Sequence, residues 1–256
     1  MIEVKNVSKA FGSLQVLKNV SLKIEKGETM VVMGKSGVGK SVLLKQIIGL
    51  SKPEEGEIWI RGVETTHLNG EDLYNANRDL GMLFQGGALF DSMSVFENVI
   101  FHEHYHHHTP LEHLREIAEK ALNSVDLFDV LDKMPSELSG GMKKRAALAR
   151  LIAYRPSMIL YDEPTTGLDP ITAQVIIDLI IKVNKELHAT SIVVTHDIVL
   201  AIAVATKIAL IDQGEIHIVE NPREFFTHQG NDVIDFFKTI LPQQCLQRRL
   251  INESSA

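Results

Sequence analysis

The segment GKSGVGKS, residues 34–41, has the spacing G-x-x-x-x-G-K-S. It follows the apolar stretch ETMVVM and opens SVLLKQIIGL (41–50). A strand, a glycine-rich loop and a helix in that order form the setting in which this spacing carries chemistry. Gly34, Gly37 and Gly39 let the chain curl tightly, so the backbone N–H groups along Lys35, Ser36 and Val38 can form a nest for phosphate oxygens. The positive end of the helix adds to that nest. Lys40 can reach terminal phosphates, and Ser41 can offer its hydroxyl to Mg²⁺, which takes oxygen ligands. Further along, ILYDEP sets Asp162 and Glu163 at the end of an apolar strand. In a parallel sheet the carboxyl ends of strands face the ligand crevice. Asp162 is expected to hold the metal through water, and Glu163 to meet the attacking water as general base or orienter. Phosphoryl transfer asks for metal charge, donors on the γ-phosphate and an in-line nucleophile, and little more. His196 closes TSIVVTH and could donate to the γ-phosphate. Gln85 closes LGMLFQ and could meet the metal or the water.

A second anion cradle lies at ELSGGMKKRAALAR, residues 137–150. Ser139 is a natural N-cap, and Gly140 and Gly141 expose N–H groups at the positive end of the helix that follows. It is far along the chain from the first cradle. The expectation is that it serves the nucleotide of another copy, so that two copies related by a two-fold axis share two nucleotides.

The elements that position these residues follow from periodicity. Residues 2–33 carry short alternating segments punctuated by Gly12 and Gly27, and EGEIWIRG reads as another strand. From about 86 to 157 helical patterns replace them, which suggests an inserted helical lobe. LEHLREIAEKALNSV (111–125) sets Leu111, Leu114, Ile117, Ala118, Ala121, Leu122 and Val125 on one face, with Thr109 as N-cap and Pro110 first in the helix. SMILYD, TSIVVTH, KIALID and EIHIVE read as strands, and PITAQVIIDLIIKVNKEL (170–187) as a helix capped by Asp169. IVLAIAVATKIALI (198–211) reads as a buried helix followed by a strand. Strands alternating with helices predict an α/β fold with a mostly parallel, doubly wound sheet.

Composition sets bounds. The chain has 256 residues, enough to bury about 70–75% of its unfolded surface. Its net charge of -7 gives no support to nonspecific nucleic-acid binding. One cysteine, Cys245, fits a reducing compartment. The N-terminal stretch lacks the apolar core of a secretory signal, and no run reaches the ~18 apolar residues of a spanning helix. The expectation is a soluble chain whose membrane role comes through a partner.

Taken together, GKSGVGKS, Gln85, LSGGM, LYDEP, TGLDP and Thr195-His196 resemble the nucleotide-binding subunits of ABC transporters, in their usual order over about residues 2–228. The resemblance implies a P-loop NTPase fold with an N-terminal antiparallel β subdomain, binding ATP with Mg²⁺ and hydrolysing it. It implies an aromatic ring stacked on adenine, for which Phe11 is the candidate, and a role for Asp169 in the loop that communicates across a head-to-tail dimer. The fifth residue of the second cradle is commonly glutamine in the family and is Met142 here. Within the family, FQGGALFDSMSVFENV, LSGGMKKRAALAR and YDEPTTGLDPITA look like the ATPases of MCE, or Mla-type, lipid transport systems. That implies a phospholipid-like substrate, an integral-membrane permease, an MCE substrate-binding protein and, in some members, a small STAS-domain companion. The place implied is the cytoplasmic face of the inner membrane. The rivals are an importer subunit for a small polar solute, a soluble non-transport ABC protein, and a module that binds nucleotide without turnover.

Three features are read as structural. HEHYHHH (102–108) is taken as a solvated part of the lobe and the run Lys143, Lys144, Arg145 as a solvated helix face. Residues 229–256 form an extension in which VIDFFKTI has helical spacing.

Overall fold

The structure is a computed structural model that describes residues 1–106 and 109–227; of His106 it describes the backbone alone. The chain opens with a hairpin, β1 (Ile2–Phe11) and β2 (Leu14–Ile24), turned at Gly12 with φ 61°. It then crosses to β3 (Thr29–Met33), the loop 34–39 and α1 (Lys40–Ile47). β4 (Glu55–Ile60) and β5 (Val63–Glu64) return to the hairpin, giving a four-stranded antiparallel sheet in the order β2-β1-β4-β5. After α2 (Gly70–Asn77) and β6 (Leu80–Leu83) the chain leaves the sheets for α3 (Val95–His106), α4 (Leu111–Asn123) and α5 (Gly140–Tyr154). It re-enters with β7 (Met158–Asp162), α6 (Pro170–Leu187), β8 (Thr190–Thr195), α7 (Ile198–Val204), β9 (Lys207–Asp212), β10 (Glu215–Glu220) and α8 (Pro222–Thr227).

The second sheet has six strands in the order β10-β9-β3-β8-β7-β6, all parallel except the β10 edge. β3, β7 and β8 are buried at every position, as strands covered on both faces must be. Alternation along β3 divides the core. Met30 and Val32 face α1 and the antiparallel sheet, while Val31 and Met33 face the helical side with Tyr161, Ala147 and Ile177. The register pairs Met33 with Thr195 and Asp162 with Val194, so β3, β7 and β8 end together on one edge.

Several sequence expectations shift. ETMVVM is not part of the N-terminal antiparallel group but a central strand of the parallel sheet. α1 stops at Ile47, two residues before Gly49 takes φ 75°. The cap expected from Thr109 is absent: Pro110, at ψ 145°, is itself the N-cap and makes no side-chain hydrogen bond. Leu111 points out, 69% exposed, while Leu114, Ala118, Ala121 and Leu122 carry the buried stripe. α7 is only half a core helix: Leu200 and Ala201 are buried but Val199 and Ile202 are exposed. His102 is not solvated but packs its ring on Tyr154, centroids 4.1 Å apart. No group of three or more histidine, cysteine or acidic residues among the described residues is arranged to hold a metal. Likewise, no described helix is long and apolar enough to cross a membrane. Cys245, VIDFFKTI and the rest of 229–256 lie outside the described residues.

Candidate nucleotide site

The loop after β3 starts at the sheet edge where β3, β7 and β8 end together. Gly39 ends it at φ 104°, in the left-handed region, as the N-cap of α1. A Cβ there would stand 2.9 Å from the carbonyl oxygen of Val16, so the position excludes side chains on two grounds. At the base of the loop, a Cβ on Gly34 would lie 2.5 Å from the Ile211 carbonyl oxygen. Helix α1 thus begins with its N–H groups open toward the loop, an anion-binding arrangement.

Lys40 is buried, and its ammonium donates to the carbonyls of Gly34 (2.7 Å) and Lys35 (2.9 Å). It also lies 3.1 Å from Glu163 Oε1. Ser41 donates its hydroxyl to Asp162 Oδ1 at 2.7 Å. Burial pushes the Asp162 carboxyl above the usual aspartate value, with the Ser41 hydrogen bond acting in the opposite sense. Hydroxyl and carboxylate side by side make a hard-oxygen pair suited to Mg²⁺, so these two residues fit the metal.

Glu163 sits at φ 46°, left-handed for a non-glycine residue, and its N–H donates to the Val194 carbonyl at 2.9 Å. That twist turns its side chain into the crevice. Oε2 receives the Thr166 hydroxyl at 3.1 Å and lies 2.9 Å from His196 Nδ1. His196 stands one residue past the end of β8, and Gln85 two past the end of β6. The loop carrying Gln85 continues through Gly87 and Ala88, whose carbonyls accept from the Arg150 guanidinium at 3.1 and 3.0 Å.

Gly34, Lys35, Val38 and Asp162 are off the wall of the cavity that opens here, about 420 Å³ in volume, which is lined by Ser36, Gly37, Gly39, Lys40, Ser41, Gln85, Glu163 and His196, together with Val16, Val42 and Thr166. The last three were not singled out from the sequence. Val16 is an ordinary β-strand residue there, and Thr166 is one more hydroxyl in a turn. Other expected residues stand elsewhere. Phe11 is at the end of β1, 54% exposed, with the Lys9 ammonium 5.5 Å from its ring centre. Ser139 caps α5 by accepting from the Met142 N–H at 3.3 Å, and neither it nor Gly140 and Gly141 is on the cavity wall. Asp169 caps α6, and the hydrogen bond from the Thr172 side chain holds its carboxyl below the usual value. Gly141 packs on that same Thr172. The basic run departs from expectation: Arg145 donates to the Asp126 carbonyl, and Lys144 is buried.

A glycine cradle opening a helix, a serine–aspartate pair and a glutamate–histidine pair at adjoining ends of a parallel sheet define a P-loop ATPase. The chain belongs to the ABC transporter family, which it matches over residues 17–166. It binds ATP with Mg²⁺. Its sequence is 41% identical to the intermembrane phospholipid transport system ATP-binding protein MlaF of Haemophilus influenzae, over 93% of this chain and 90% of that one. It is 35% identical to the methionine import ATP-binding protein MetN 1 of Bacillus cereus, over 100% of this chain and 71% of the relative. A dimeric ATP-binding cassette solved in a post-hydrolysis state with ADP and Pi superposes with a TM-score of 0.78 at 37% identity, covering 86% of this chain and 98% of that one.

Proposed function

We propose that this chain is the ATP-hydrolysing subunit of a transporter that moves phospholipid or a related hydrophobic substrate. What carries the lipid reading is the 41% identity, over nearly both full lengths, to an intermembrane phospholipid transport ATPase. In this reading the ATPase domain spans residues 1–228, with the lobe at about 86–157 inserted in it and 229–256 as an extension. The chain rests on the cytoplasmic face of the inner membrane through an integral-membrane permease. The lobe favours such a contact, because Phe90, Tyr105 and Leu111 are exposed on it. An MCE-type substrate-binding protein and a small STAS-domain protein complete the assembly.

In hydrolysis the loop Gly34–Ser41 holds the phosphates, and Lys40 turns from Glu163 to phosphate oxygens. Ser41 and Asp162 would hold Mg²⁺, whose positive charge would offset the negative charge that the phosphate oxygens gather in phosphoryl transfer. Glu163 orients the attacking water and accepts its proton. His196 donates to the γ-phosphate, and Gln85 reaches the metal or the water from the lobe side. Phe11 stacks on adenine through its ring face. Ser139, Gly140 and Gly141 close over the nucleotide of a second copy, with Asp169 at the seam, in a head-to-tail pair. The position of the Ser139 turn off the chain's own cavity supports that arrangement, as does the dimeric state of the ADP-bound cassette.

The test uses the complex purified with its membrane partners. Glu163→Gln should keep ATP and Mg²⁺ and hold two copies together; two copies that stay apart would overturn the shared site. Lipid extracted with the wild-type complex and moved between vesicles in an ATP-dependent way supports the substrate. A second reading, an importer for a small polar solute, rests on the 35% identity to the methionine import subunit. ATP-dependent uptake of such a solute without lipid transfer would establish it instead.

A further inference from the structure

Lysines on helix surfaces normally run their stems along the protein and leave the ammonium in water. Lys144, in the second turn of α5, does the opposite. It is 4% exposed, and its Nζ donates to the carbonyls of Pro164 at 2.6 Å and Thr166 at 2.8 Å. Neither acceptor is charged, so a buried cation is spent on two backbone oxygens. Burial accordingly lowers the Lys144 pKa, against the attraction of Glu163. Such desolvation is costly unless the group is well bonded, which makes the target of the two bonds the point of interest.

That target is the turn after Glu163. Thr166 donates its N–H to the Glu163 carbonyl at 3.2 Å and its hydroxyl to Glu163 Oε2 at 3.1 Å. Through Thr166, then, Lys144 is two bonds from the carboxylate that lies against Lys40 and His196. The first residues of the same helix form the Ser139–Gly141 turn. We propose that Lys144 is a positioning residue for hydrolysis. By clamping the carbonyls of Pro164 and Thr166 it fixes the Thr166 hydroxyl against Glu163 and ties the aim of that carboxylate to helix α5. A displacement of α5 by the nucleotide of a second copy would thereby re-aim Glu163 in the chain's own cavity. The proposal rests on the ATPase reading and not on the identity of the transported substrate.

Steady-state ATP hydrolysis by the purified transporter complex tests it, with Lys144→Met, Lys144→Arg, Thr166→Val and the Lys144→Met/Thr166→Val double variant. Lys144→Met keeps the stem and loses the donors. It should lower kcat by about 10- to 100-fold, the scale of a small misplacement of a catalytic group, while leaving KM for ATP unchanged. Lys144→Arg, which keeps donors at that place, should restore most of kcat. Thr166→Val should match Lys144→Met, and the double variant should fall no further, because the two residues act through one carboxylate. If Lys144→Met does not assemble, Thr166→Val and Lys144→Arg still decide. Wild-type kcat in Lys144→Met or Thr166→Val, additive losses in the double variant, or a loss confined to KM would overturn the positioning role. A wild-type complex without ATP turnover would overturn the ATPase reading along with it.

Discussion

Lys40 and Glu163 form a buried ion pair, Nζ to Oε1 at 3.1 Å, that ties the start of α1 to the turn after β7. The same carboxylate lies 2.9 Å from His196 Nδ1 through its other oxygen. The expected base is therefore neutralised by the very ammonium that the phosphates need. In the proposed mechanism, ATP binding draws Lys40 away and releases Glu163 toward water, which would link occupancy to activation. Glu163→Gln breaks this link at one end. The variant is expected to bind ATP at least as tightly as wild type, because Lys40 no longer has a charged competitor. Its kcat should fall by about 10²–10⁴, the usual worth of general-base assistance. Nucleotide-binding titration and phosphate release on the same preparation check both halves.

Asp162 gives a pH prediction of definite sign. Burial holds its folded-state pKa above the unfolded value. The folded chain therefore binds more protons than the unfolded one between those two values, and stability falls as pH rises through them. At neutral pH the ionised carboxylate is a cost to the metal-free protein. Asp162→Asn, which can still accept from Ser41, is expected to raise Tm at pH 7 and to lose that advantage as pH drops to the ordinary aspartate range. In the same variant Mg²⁺ should bind about 10- to 100-fold more weakly or worse, since even indirect supports of a metal site are worth that much. Melting curves across pH with chelator present, and Mg²⁺ titrations without it, separate the two effects.

What was legible in the sequence, within this cavity and at the helix starts away from it, is what is chemically local. Gly34–Ser41 is a contiguous motif, and Ser139 and Asp169 cap the helices that begin right after them. Asp162 and Glu163 were legible because an apolar run ends there. The Thr109 cap failed because its reading was just as local: Pro110 in extended backbone took the cap place, a choice that the sequence TPLE leaves open. Lys144 and Arg150 were illegible for the opposite reason. Their acceptors lie 20 to 63 residues away, and nothing in KKRAALAR distinguishes the lysine that turns inward from the one beside it. α3 escaped because VFENVIFHEHYH mixes aromatic and histidine residues without a clean apolar stripe.

Met142 is the family departure with a measurable consequence. It occupies the third position of α5, where glutamine would reach back to the Ser139 N–H and complete a capping box. Methionine instead packs against the main hydrophobic cluster. Met142→Gln exchanges an apolar contact for a capping bond, and the two terms oppose each other. ATPase activity should stay within about fivefold of wild type, the effect of about 1 kcal/mol. A loss of about a hundredfold would mean that the thioether itself shapes the turn over the nucleotide.

Gly141 can be tested for two roles at once. A Cβ built there would lie 2.6 Å from the Thr172 methyl, Cγ2, and Thr172 is held in place by its bonds to the Asp169 cap. Gly141→Ala should therefore lower Tm through overpacking, a cost of about 1–3 kcal/mol. Thr172→Ser removes that methyl and keeps the hydroxyl for Asp169, so the Gly141→Ala/Thr172→Ser pair should regain the lost stability. If Gly141 is bare only to fit against α6, ATPase activity returns as well. If it is bare because a second copy's phosphates must approach its N–H, the double variant melts like wild type and still hydrolyses ATP poorly. The shared-site reading requires this second result: stability repaired within one chain, with turnover still blocked between two.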